Sequence, residues 1–184
     1  MVLSPLGGGG KLRTFDTMPT TRIHTALIHE VKHRLFDESL PRIIECLEKL
    51  TDEQIWWRPN ESSNSIGNLV LHLCGNVRQW IGTGLGNLPD SRKRQTEFDE
   101  RRVIAKDVLV SELASTMTMA KSVISNFPGN ELLISRPVQT FNETGMSILI
   151  HVTEHFSYHT GQIAYITKLL SGKSLSFYEG VVLE

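Results

Sequence analysis

Residues 148–170 read "ILIHVTEHFSYHTGQIAYITKLL", and this run limits the fold more than any other part of the chain. At about 100° per residue, Leu149, Val152, Phe156, Ile163, Ile166 and Leu170 gather into one apolar stripe. The segment is therefore a long amphipathic helix, and other helices must cover the stripe. Three of the seven histidines lie on it, four residues apart. His159 falls roughly 20° from the stripe centre, His155 roughly 60° away and His151 about 100° away, at the solvent boundary.

A single core histidine is ordinarily satisfied by a neighbour. Two on the inner face, at i and i+4, must both be desolvated and both find partners. Side chains at that spacing lie one above the other, so two ring nitrogens can converge on one ion at ~2.0–2.1 Å. His155 and His159 are therefore candidate metal ligands. His151 reads as an outer support or a surface residue.

The rest of the chain supplies the helices that would cover the stripe. Ile23, Leu27, Val31 and Leu35 recur at helical spacing in a segment running to about Leu50, with a kink or break expected near Leu40 because Pro41 lies inside it. Thr51 to Gln54 looks like a short capped turn. A second helix, capped by Asn64 or Ser65, runs through "SIGNLVLHLCGNVRQWI" to Ile81. A third covers "KDVLVSELASTMTMAKSVISNF" and stops at Pro128-Gly129. "NELLISRPVQTFNETG" is a long connection with some extended character, and no strand pattern lasts long enough to build a sheet. Ser171-Gly172 closes the fourth helix, and a tail packs back through Phe177 and Tyr178. The expected architecture is all-α, a four-helix bundle with long crossover connections. Residues 1–20, with four consecutive glycines, read as a flexible tail, and 21–184 as a single domain.

A metal held by two histidines needs a third ligand. His72 lies in the second helix, about 120° from the centre of its stripe. Flanked by Leu71 and Leu73, it is poorly placed to face plain water. "HEVKH", residues 29–33, matches the H-E-x-x-H zinc-protease pattern, but His29 and His33 lie about 155–165° from the buried face of their helix. Lys32 and Arg34 would also have to be buried with them, so the pair is read as a solvated face. His24 falls in the apolar stripe of the first helix without an assigned role.

Composition excludes several functions. The net charge of −1 gives no basis for binding nucleic acid or an anionic membrane. "SRKRQTEFDERR" (91–102) alternates bases with acids and reads as a solvated loop. No apolar run approaches the ~20 residues of a membrane span, and the N-terminus lacks the pattern of a secretory leader. Cys46 and Cys74 are too few for a disulfide framework, which fits a cytoplasmic protein.

"SLPRIIECLEKLTDEQIWWRPNESSNSIGNLVLHLCGNVRQWI", followed by "HVTEHFSYHTGQIAYITKLL", resembles the DinB-like family of metal-binding four-helix bundles, which is unrelated to the DNA polymerase of that name. The resemblance spans about Arg22 to Phe177. It implies a divalent ion held by one histidine of the second helix and two of the fourth, which by position are His72, His155 and His159. Tyr158 and Thr160 stand where many relatives carry a second adjacent histidine and an arginine, so a role tied to that arginine does not transfer. Three imidazoles suit zinc or nickel better than magnesium or calcium and leave a coordination position open. The resemblance further implies a small-molecule substrate, in some relatives a low-molecular-weight thiol, and a homodimer. Two functions are expected to compete: a metal-dependent thiol transferase or hydrolase, and a non-catalytic stress-related protein with a structural ion.

Overall fold

The computed structural model describes residues 18–180 and 182. Most of the glycine-rich N-terminal stretch lies outside the described residues. The molecule is mostly helical, with one small antiparallel sheet. Helix α1 (Met18–Lys32) passes through a π-helical stretch, His33–Ser39, directly into α2 (Leu40–Glu48). Pro41 is the reason. It has no N–H to donate back along the helix, and the turn before it widens to i→i+5 bonding instead of breaking. Leu35, Ile43, Cys46 and Leu47 still bury one continuous face. Ile23, by contrast, is exposed, so the apolar stripe of α1 becomes core only from Leu27 onward.

Helix α3 (Asp52–Trp56) and α4 (Ile66–Val77) both open on capping boxes. In α4 the Ser65 hydroxyl accepts from the Asn68 N–H, while Asn68 Oδ1 accepts from the Ser65 N–H. A second π-helical stretch, Arg78–Thr83, extends α4. The segment read as a solvated loop instead contains α5 (Arg94–Asp99). It is fastened to the helices by Asn68 Nδ2, which donates to the carbonyls of Glu97 and Glu100 at 2.8 and 3.1 Å. Trp56 Nε1 likewise donates to the Ile104 carbonyl. Period counting missed this because the fastening is made by polar side chains outside the segment.

Helix α6 (Lys106–Asn126) packs on α4. A second difference from the sequence reading follows it. β1 (Ser135–Val138) and β2 (Phe141–Thr144) form a hairpin, with Ser135 opposite Thr144 and Val138 opposite Phe141. Four residues per strand is too short for alternation to stand out. The turn requires Gln139 at φ 53°, a left-handed position with no Gly or Asn to signal it. Helix α7 (Gly145–Ser171) runs against α2 and α4 and ends at Gly172, whose φ of 63° supplies the left-handed cap. Beyond it, the Ser176 N–H donates to Glu45, and Arg42 lies over the Phe177 and Tyr178 rings. Among the described residues, no helix is long and apolar enough to cross a membrane.

Candidate metal centre

Helices α4 and α7 pack together, and their contact brings three imidazoles to one point. His155 Nε2 lies 3.0 Å from His72 Nε2 and 3.2 Å from His159 Nε2. Among the described residues, these three form a group whose ligand atoms all lie within 4.8 Å of one another. His72 is buried, and His155 and His159 are half-buried. Helix α4 is buried on nearly every side, so a position 120° from its main stripe still faces protein. Periodicity therefore undervalued His72.

The outer ring nitrogens of His72 and His159 fix their tautomers, while Nδ1 of His155 is buried without a hydrogen-bond partner. His72 Nδ1 donates to Glu97 Oε2 at 2.9 Å. Arg92 grips the same carboxylate twice, from Nε at 2.7 Å and Nη2 at 2.9 Å, and donates to Gln79 from Nη1. The approach of Arg92 Nη2 to His72 Nδ1, 3.2 Å, is not a hydrogen bond, because both atoms carry hydrogen and Glu97 takes both. His159 Nδ1 donates to Gln162 Oε1 at 2.6 Å, and Gln162 in turn donates to the Tyr158 hydroxyl. Both rings thus point bare Nε2 lone pairs at His155. Second partners of this kind are what hold metal-bound imidazoles in orientation.

A neutral His155 with its hydrogen on Nε2 can donate to both lone pairs, and a cation can hold all three nitrogens in its place. A proton is a poor one near neutrality. Burial, reinforced by His159 and His72, pushes His155 down to about 3, and burial lowers His159 as well. A divalent ion fits better. Two nitrogens held ~2.0–2.1 Å from a tetrahedral ion stand roughly 3.4 Å apart, close to the spacing here. The donors are also neutral and uniformly imidazole, the set favoured by late first-row metals.

Glu97 and Arg92 were not singled out from the sequence. Burial pushes the Glu97 carboxyl up, but the Arg92 and His72 hydrogen bonds outweigh it and hold the group below the usual carboxylate range. Gly75 makes room: a Cβ there would collide with Glu97 Oε1. One sequence signal existed, a glycine about one turn beyond His72 in the same helix.

His151 stacks on Trp80, centroids 3.8 Å apart, and lines a cavity of about 370 Å³ together with His72, His155, Arg94, Phe141 and Glu143. The two solvated histidines stay apart from all this. His29 is exposed, and His33 pairs with Asp37 and Glu38. His24 now has a role, its Nε2 donating to the Phe127 carbonyl at 2.8 Å and tying α1 to the end of α6.

Residues 24–179 match the family model described as "Protein of unknown function (DUF1572)", and the chain belongs to that family. Among solved structures it is similar to a conserved protein from Enterococcus faecalis, at 19% identity and a TM-score of 0.61. That likeness covers 83% of this chain and 98% of the other, and it shows a shared fold. No curated protein matches the chain.

Proposed function

We propose that the chain is a DinB-like four-helix-bundle protein that holds one zinc or nickel ion between His72, His155 and His159. We further propose that it acts in the cytoplasm as a metal-dependent enzyme of thiol-transferase or hydrolase type. The reading is carried by the meeting of the three Nε2 atoms, with the hydrogens of His72 and His159 turned outward to Glu97 and Gln162. An ion bound by three neutral imidazoles keeps a coordination position and its full charge, and so supplies Lewis acidity toward water or a thiol.

The protein's own groups do the rest. Glu97 and Arg92 hold the His72 ring, and Gln162 holds that of His159. The cavity lined by His72 and His155 gives a small molecule access to the imidazoles, which favours an enzyme over a closed staple.

A second reading rests on the His72–His155 contact, which joins α4 to α7. An ion there would crosslink the two helices, as in a non-catalytic stress-related protein. Chelation separates the two readings. A staple should unfold or soften when stripped, whereas an enzyme should keep its fold and lose turnover in a panel of thiol-conjugation and hydrolysis reactions.

The metal itself is tested by elemental analysis after dialysis against a weak chelator. Wild type should retain one zinc or nickel per chain, and His155→Ala and His159→Ala should each lose it. Retention by both variants, or a hard oxygen-binding cation alone, would overturn the assignment. The resemblance that supports the bundle also supports a homodimer, which light scattering on the eluting protein tests.

A further inference from the structure

Helix α7 turns one side to the bundle and leaves the other in solvent. At about 100° per residue, Ile150, Glu154, Tyr158, Tyr165 and Lys168 all lie within roughly 60° of Gly161 around the helix axis. All six are exposed. Ile150, Tyr158, Tyr165 and, at the edge of the face, Leu169 are each more than half exposed. Single exposed apolar residues are ordinary, but a contiguous set on one helix marks a contact surface.

Two details of this face say what it meets. The first is Gly161, near the middle of a 27-residue helix. Glycine is a poor helix former, and it suits places where another backbone must come close. A Cβ there would meet nothing within 4 Å, so packing among the described residues does not call for it. The second is charge. Glu154 and Lys168 stand seven residues before and seven residues after Gly161, close to one line along the helix. Neither has an ion-pair partner among the described residues. The positions one turn from them, Ile150, Tyr158, Ala164 and Gly172, carry no charge that could supply one.

An anion and a cation at equal distances from a glycine complement the same face turned end for end. With two copies laid antiparallel and crossing at Gly161, Glu154 comes level with the partner's Lys168, and Lys168 with the partner's Glu154. Both pairs form together, as two-fold symmetry requires. Each lies about 10 Å along the axis from the crossing, where a shallow crossing angle keeps the helices close. A parallel arrangement would instead set like charges against each other. We infer that α7 is the interface with a second copy of this chain, packed antiparallel across Gly161 with Tyr158 and Tyr165 flanking the crossing. The inference rests on the homodimer reading, to which it gives a face and a direction, and it needs no metal.

The test is sedimentation equilibrium of the full chain, with circular dichroism to check folding. Wild type should dimerise. Glu154→Lys alone and Lys168→Glu alone each oppose like charges at both pairs, and each should weaken the dimer about ten-fold or more. An equimolar mixture of the two variants should regain the wild-type affinity, because opposite charges meet again. The double variant Glu154→Lys/Lys168→Glu should regain it too. Gly161→Leu should fold as wild type does, since its side chain meets open space, yet weaken the dimer by blocking the crossing. A monomeric wild type overturns this inference and the homodimer reading together. A wild-type dimer that the charge substitutions leave equally tight overturns the face and leaves the homodimer standing. Weakened single variants that recover neither in the mixture nor in the double variant overturn the antiparallel pairing. Full affinity in folded Gly161→Leu overturns the close crossing.

Discussion

Glu97 shows how much of the site depends on one side chain that binds nothing itself. Its carboxylate neutralises Arg92, whose side chain is only 4% exposed, and takes the Nδ1 hydrogen of His72. Glu97→Ala would strip the buried guanidinium of the carboxylate it hydrogen-bonds twice and free the His72 ring to choose either tautomer. Removing one partner of a buried pair costs about 3–5 kcal/mol, so the variant's denaturation midpoint should fall accordingly. Zinc affinity, read by chelator competition, should drop about 10–100-fold, the usual effect of losing a partner that orients a ligand. Unchanged zinc affinity in a folded variant would refute the orienting role.

At the scale of elements, α4 is the organising piece, because its first turn both caps the helix and anchors the segment that carries Glu97. Asn68 Oδ1 accepts from Ser65, and its Nδ2 holds the Glu97 and Glu100 carbonyls. Ser65→Ala removes the capping hydroxyl at a fully buried position, with an expected loss of about 1–2 kcal/mol in chemical denaturation. Helix α1 offers the contrasting case. Its His29 and His33 carry a zinc-protease spacing on a solvated face, so His29→Ala/His33→Ala should retain zinc in full and shift stability by no more than about 0.5 kcal/mol. Loss of zinc from that double variant would move the metal site to α1.

The whole molecule carries these choices as a pH dependence. His155 has an ordinary value of 6.5, and burial with its neighbours lowers it to about 3 in the fold. A depressed imidazole means that the unfolded chain takes up protons first. The contribution of the neutral ring is therefore intact above about 6.5 and is lost as pH falls toward about 3. Glu97, also depressed, adds a loss of the same sign below the ordinary carboxylate value. The denaturation midpoint of metal-free protein should decline steadily from pH 7 to pH 4. A flat profile over that range would mean that the imidazoles are not buried as neutral groups.

Local pattern alone was enough for the long helices, for the inward placement of His155 and His159, and for the dismissal of His29 and His33. Each follows from the 3.6-residue period, which a sequence displays directly. The period failed where the environment was not two-sided. His72 sits in a helix surrounded by protein, and so it is buried without lying on a stripe. The hairpin is too short to alternate, and Pro41 widens its helix where a break was expected. Glu97 and Arg92 read as part of a solvated charge run until Asn68, Gly75 and His72 gave them buried partners from a distant segment. Their charges were visible in the chain, but their pairing was not, because a hydrogen bond across 25 residues is decided only when the helices pack.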